Sequence, residues 1–178
     1  MINGAQLHLA VNHMPVVGVL FGFLILFVGM LMKNSSVKKT GLAVLVFASV
    51  TVAPAYLSGE PAEDMVEHKP GVTKALIHEH EESAELSLVF TAITGGVAAL
   101  ALALGKMKRD QLAGKTSVAA FALSAVTFAL LANTAHLGGL IRHDELRTAS
   151  TATDGSAAIS VSGEKNEAGE KNHDGDDD

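Results

Sequence analysis

Five of the eight histidines stand where long apolar stretches give way to polar sequence. His8 and His13 precede the body of the first stretch, His80 precedes the third, and His136 and His143 close the fourth. Imidazole is the commonest metal ligand, and it holds haem iron through a ring nitrogen. Two histidines on different helices, one above and one below a porphyrin, make a b-type haem site. We take His13 and His80 as the first axial pair, with His8, His136 and His143 as candidates for a second. His13, His80 and His143 are also the candidate ligands for a bare metal. His136 and His143 are seven apart and so share a helical face two turns apart. Arg142 sits where a propionate would be paired. One haem b or two would be accommodated by this set. With two axial histidines the iron keeps no open position, so its role would be to pass electrons. Each histidine taken singly has a plainer reading, as an interfacial side chain bonded to a carbonyl or to water.

These residues need helices to position them, and the chain supplies four candidates. No Asp, Glu, Lys or Arg occurs from Met14 to Met32, Thr40 to Gly59, Leu86 to Gly105 or Thr116 to Ile141. A bilayer core of about 30 Å needs about 20 predominantly apolar residues as helix. The pattern predicts membrane spans near 14–32, 42–57, 84–104 and 117–137, with Pro54 interrupting the second. The fold class expected is all-α, a four-helix transmembrane bundle over residues 1–147 followed by a low-complexity acidic tail, 148–178.

Charge orients the bundle. The two short loops hold Lys33, Lys38, Lys39, Lys106, Lys108, Arg109 and Lys115, while every histidine and every acid except Asp110 lies elsewhere. Lys- and Arg-rich short loops stay cytoplasmic. Both termini and the middle loop are therefore expected outside a bacterial inner membrane, and the histidines gather at its outer face. The start MINGAQLHLA has no basic residue, unlike a signal peptide, so the first helix is expected to be retained.

Composition removes several chemistries. The chain has 178 residues, 48% hydrophobic, with net charge −6, which disfavours nucleic acid as a partner. Cysteine is absent, which removes thiolate metal sites, disulfides and haem attached through C-x-x-C-H. No nucleophile–base arrangement and no phosphate-binding glycine loop is visible, so no catalytic residue is assigned and the chain is read as no enzyme in itself. No ionisable residue lies in the middle of a span, so a transmembrane ion path has no carrier.

Between the second and third spans, Lys69-Pro70-Gly71 is a turn signal. Thr73 can cap a helix running through HEHEES into the third span, about 50 Å long at 1.5 Å per residue. Within it His78 and His80 point about 200° apart, whereas His78 and Glu82 form an i, i+4 pair that would hold zinc or copper weakly. Glu60, Glu63, Asp64 and Glu67 make an acidic surface, wet in the plain reading and a dock for a cationic cytochrome in the functional one. Gly18-x-x-x-Gly22 permits close backbone approach, either to another helix or to a flat macrocycle.

The opening H8-x4-H13-x-P15, the loop YLSGEPAEDMVEHKPGV with HEHEE, and the ending NTAHLGGLIRHDEL resemble a bacterial group of small four-helix membrane proteins. That group is catalogued as a domain of unknown function, and the resemblance covers about residues 5–147. Its members often occur beside cytochrome c domains, which implies an electron-transfer setting. His8, His13, His80 and His143 match the group's histidine positions; His136 matches less closely.

Three functions remain open at this level, two of them ahead of the third. One is a membrane b-type cytochrome, working with the lipid bilayer and with other subunits or a cytochrome c-like protein. The other is a cofactor-free structural subunit bracing a respiratory or photosynthetic complex. Quinol oxidation by His and Glu at the outer face is a third, and it would need an open pocket.

Overall fold

The structure, a computed structural model, describes residues 4–143 together with residue 145. The chain divides into units 1–142 and 143–178, and all the helices named below belong to the first. They are α1 (Gly4–Val11), α2 (His13–Leu31), α3 (Ser35–Leu57), α4 (Gly59–Glu63), α5 (Lys74–Lys106) and α6 (Asp110–Arg142). No strand occurs among the described residues. Four helical segments, Gln6–Leu31, Ser35–Leu57, Lys74–Lys106 and Asp110–Arg142, are long and apolar enough to cross a membrane. The chain is an all-α, multi-pass membrane protein.

Proline and the caps set the helix ends. Pro15 has no N–H to give to the carbonyl of Val11, and the break between α1 and α2 falls there, at Asn12. Pro54 sits within α3, three residues from its end, so only its last turn is affected. Thr73 caps α5 as the sequence leads one to expect, its hydroxyl accepting from Leu76 N at 3.2 Å. Asn34 caps α3 by accepting from Ser36 N and Val37 N. The two lysine-rich turns are built alike. Lys33 and Lys108 take φ of 52° and 59°. The following residues return to the helix, Asn34 N to Gly29 O at 3.0 Å and Arg109 N to Leu104 O at 3.0 Å. These are glycine-type helix stops made with lysine instead.

The spans pack as two hairpins, α2–α3 and α5–α6, joined through α3 against α5. Without a hydrophobic drive between helices in lipid, close approach depends on small residues. A Cβ on Gly41 would lie 2.5 Å from Leu26 N, and one on Gly29 would lie 2.5 Å from Lys38 N. A Cβ on Gly18 would likewise lie 2.8 Å from Ala48 Cβ, and one on Gly22 2.7 Å from Leu45 Cδ2. Of the two uses of the Gly18–Gly22 motif, the structure therefore shows helix packing. Val19, Leu26, Leu42, Leu45, Ala48, Ala98, Ala101, Ala120 and Leu131 form the core. Phe121 of α6 stacks on Phe23 of α2 at 4.8 Å.

Hydroxyls take over where α5 meets α6. Thr94 and Thr127 share a hydrogen bond of 2.7 Å, and Thr134 Oγ1 meets both Ser83 Oγ at 2.7 Å and Ser87 Oγ at 2.9 Å. Buried hydroxyls in lipid need such partners, and here the partners lie across the helix pair. This ladder climbs toward the histidine end of the bundle and ends beside His80.

Candidate histidine site

His8 leaves α1 toward the end of α3. Its Nδ1 is 3.1 Å from Ala55 O and 3.1 Å from Ser58 Oγ, and the Ser58 hydroxyl itself donates to Ala55 O at 2.9 Å. His80, near the start of α5, reaches across to α6 with its Nδ1 3.1 Å from Thr134 O. A carbonyl oxygen only accepts, so both rings carry a proton on Nδ1. In the neutral imidazole that leaves the lone pair of each ring on Nε2. The two rings lie within electrostatic reach of each other, and His13 lies within reach of His8.

The backbone makes room for His80. Gly138 stands one turn beyond Thr134, and a Cβ there would lie 3.1 Å from His80 Cε1. The absence of that Cβ uncovers the Thr134 carbonyl to the ring. Asn12 follows His8 by one turn, and its Oδ1 is buried with no hydrogen-bond partner among the described residues.

The sequence-predicted residues are distributed unevenly around this arrangement. His8 and His80 are half-buried and anchored. His13 and His136 are exposed on α2 and α6, and Arg142 is exposed at the last residue of α6. His143 belongs to the second unit, where its Nδ1 is 3.1 Å from Glu145 Oε1. His78 makes the i, i+4 contact with Glu82, Nε2 to Oε1 at 3.3 Å, with both side chains exposed. No group of three or more His, Asp or Glu suited to a metal ion occurs among the described residues.

Acidic residues crown the same end. Glu63 of α4 shares a side-chain hydrogen bond with Glu81 of α5, which needs a proton on one carboxyl. Burial, then that bond, then the charges of Glu81, Glu67 and Asp64 raise the Glu63 carboxyl above its ordinary value. Glu81 in turn lies within electrostatic reach of His80.

Sequence reasoning found the histidines but not their anchors. Ser58, Thr134 and Gly138 give no signal of their own, since Ser, Thr and Gly are common in membrane helices. No protein-family model, curated protein or solved structure matches this chain.

Proposed function

We propose that this protein is a membrane electron carrier that holds b-type haem at its histidine end, with His8 and His80 as the axial ligands. The observation that carries this reading is that two imidazoles, from α1 and α5 and within electrostatic reach of each other, each have Nδ1 anchored on a backbone carbonyl. Such second contacts fix ring orientation and tautomer and strengthen the ligand, as they do around most histidine-bound metals. The donor set suits a bis-histidine iron. The glycine strip at Gly18 and Gly22 gives a macrocycle no room, because α3 fills it. Haem, when bound, would supply a one-electron centre. The chain's own part would be to hold the Nε2 atoms toward the iron through Ala55 and Thr134.

By the lysine content of the two short loops, the histidine end would face outside a bacterial inner membrane, with both termini there. The acidic surface of Glu60, Glu63, Asp64 and Glu67 would then meet a cationic redox partner, a cytochrome c-like protein or a neighbouring subunit. A second reading, a cofactor-free subunit bracing a larger membrane complex, is favoured by the closely fitted α2–α3 interface.

The test is an absorption spectrum of the detergent-purified chain, oxidised and dithionite-reduced, with a pyridine haemochrome count. A sharp reduced α-band that disappears in both His8→Ala and His80→Ala and survives in His13→Ala is the expected result. A band lost in His13→Ala and kept in His8→Ala would move the axial pair to His13 and His80. A colourless wild-type protein, expressed with ample haem, would overturn the cytochrome and favour the brace.

A further inference from the structure

A shallow groove runs along the outside of the α5–α6 pair and changes character along its length. Toward the bundle's middle its walls are Leu86 and Leu130; toward the histidine end they are Glu79, Glu82, Ser83 and Asn133, with Leu137 beyond Asn133 on the α6 wall. Glu79 to Ser83 is one helical turn, about 6 Å at 1.5 Å per residue. The headgroup layer on one side of a bilayer is about 5–8 Å thick. Leu86 begins the charge-free stretch of α5, so the polar half of the groove lies at headgroup level and the apolar half at acyl level.

Leu137 apart, the half toward the histidine end offers acceptors. Asn133 Nδ2 donates to Ser83 Oγ at 3.0 Å, which fixes the amide and leaves Oδ1 as an acceptor. Glu82 gives one oxygen to His78 and keeps the other, and Glu79 makes no ion pair among the described residues. No cation lines the groove among the described residues. Two carboxylates and an amide oxygen around one opening call for a head that is positive and carries several N–H donors.

We propose that this groove binds one phospholipid with a primary-ammonium head, of the phosphatidylethanolamine type, its ammonium on Glu79, Glu82 and Asn133 and an acyl chain on Leu86 and Leu130. A choline head carries the charge without N–H donors, and a glycerol head carries neither. Charge-assisted hydrogen bonds are directional and about twice as strong as neutral ones, so the number of N–H groups, and not the charge alone, decides the selection.

The unaltered full chain in detergent is titrated with phosphatidylethanolamine, its N-methyl and N,N-dimethyl forms, phosphatidylcholine and phosphatidylglycerol, and bound lipid is counted by native mass spectrometry. Affinity should fall stepwise with each methyl, by about tenfold over the whole series, the effect of about 1.4 kcal/mol. The double variant Glu79→Gln/Glu82→Gln should bind all five heads alike, while Glu60→Gln keeps the preference. Equal retention of the ethanolamine and choline lipids by the wild type would overturn the proposal. So would a preference that survives in Glu79→Gln/Glu82→Gln, or a groove closed by a second copy of the chain and holding no lipid. None of these readouts depends on haem.

Discussion

The imidazole of His80 lies against the bare α-carbon of Gly138, so close that a Cβ there would sit 3.1 Å from Cε1 and 3.5 Å from Nδ1. The same ring is tied to Thr134 O, one turn back on α6. Glycine at this position has a side chain of α5 as its reason, since helix geometry alone would prefer alanine.

Gly138 therefore offers a test of the anchor. In Gly138→Ala the ring must yield by a few tenths of an ångström. Alanine gains about 1 kcal/mol of helix propensity over glycine. Weakening one hydrogen bond costs about 0.5–1.5 kcal/mol. The two offset, and the melting temperature in detergent should hardly move. The histidine 15N spectrum should change, because His80 alone among the rings is displaced. Gly138→Val adds two methyls beyond the Cβ already against the ring and should lose about 1–3 kcal/mol. An unaltered His80 resonance in the valine variant would show that the ring does not rest there.

The α2–α3 interface makes a sharper demand. A Cβ on Gly41 would meet the backbone of Leu26, N at 2.5 Å and Cα at 2.7 Å, and backbone cannot rotate out of the way. Gly41→Ala should force the helices apart and destabilise the bundle by about 1–3 kcal/mol despite its better helix propensity. Gly96 has nothing within 4 Å of a Cβ. Gly96→Ala should be neutral or gain up to about 1 kcal/mol. Unfolding in mixed micelles compares the two, and a Gly41→Ala protein as stable as wild type would contradict this packing.

Acidity should tighten the loop that carries α4. The Glu63 carboxyl is raised in the folded chain, by burial first and then by its bond to Glu81 and the surrounding acids. Protonation thus favours the folded arrangement. That contribution is complete below the ordinary carboxylate value and is lost as pH rises through the raised one. Amide exchange over residues 59–72 should accordingly slow as pH is lowered from neutral toward the ordinary carboxylate range, after correction for intrinsic rates. Glu63→Gln can donate to Glu81 without a charge and should flatten the dependence. A pH profile identical in Glu63→Gln and wild type would remove the pair as its cause.

Much of this fold was legible because membrane segments announce themselves by length and lack of charge. The four spans, the Thr73 cap and the 33-residue α5 continuing from HEHEES through the third span all follow local rules. The division of α1 from α2 was less legible, because Pro15 reads equally as a first-turn proline and as a break. The histidine end was legible as a cluster and not as a pair, because helix rotation is invisible when nearly every side chain is apolar.

By itself, then, the amino-acid order determined the class of the molecule, its spans, its lysine-rich and histidine-rich ends, and the residue types available for chemistry. These depend on composition over whole turns, which the bilayer reads directly. Only the tertiary structure decided that His8 and His80 turn inward to carbonyls of α3 and α6 while His13 and His136 stay exposed. It also decided that Gly18 and Gly22 hold a helix. Those outcomes depend on how far each helix is rotated, which is set by contacts of a few tenths of an ångström between glycines and the partners they meet.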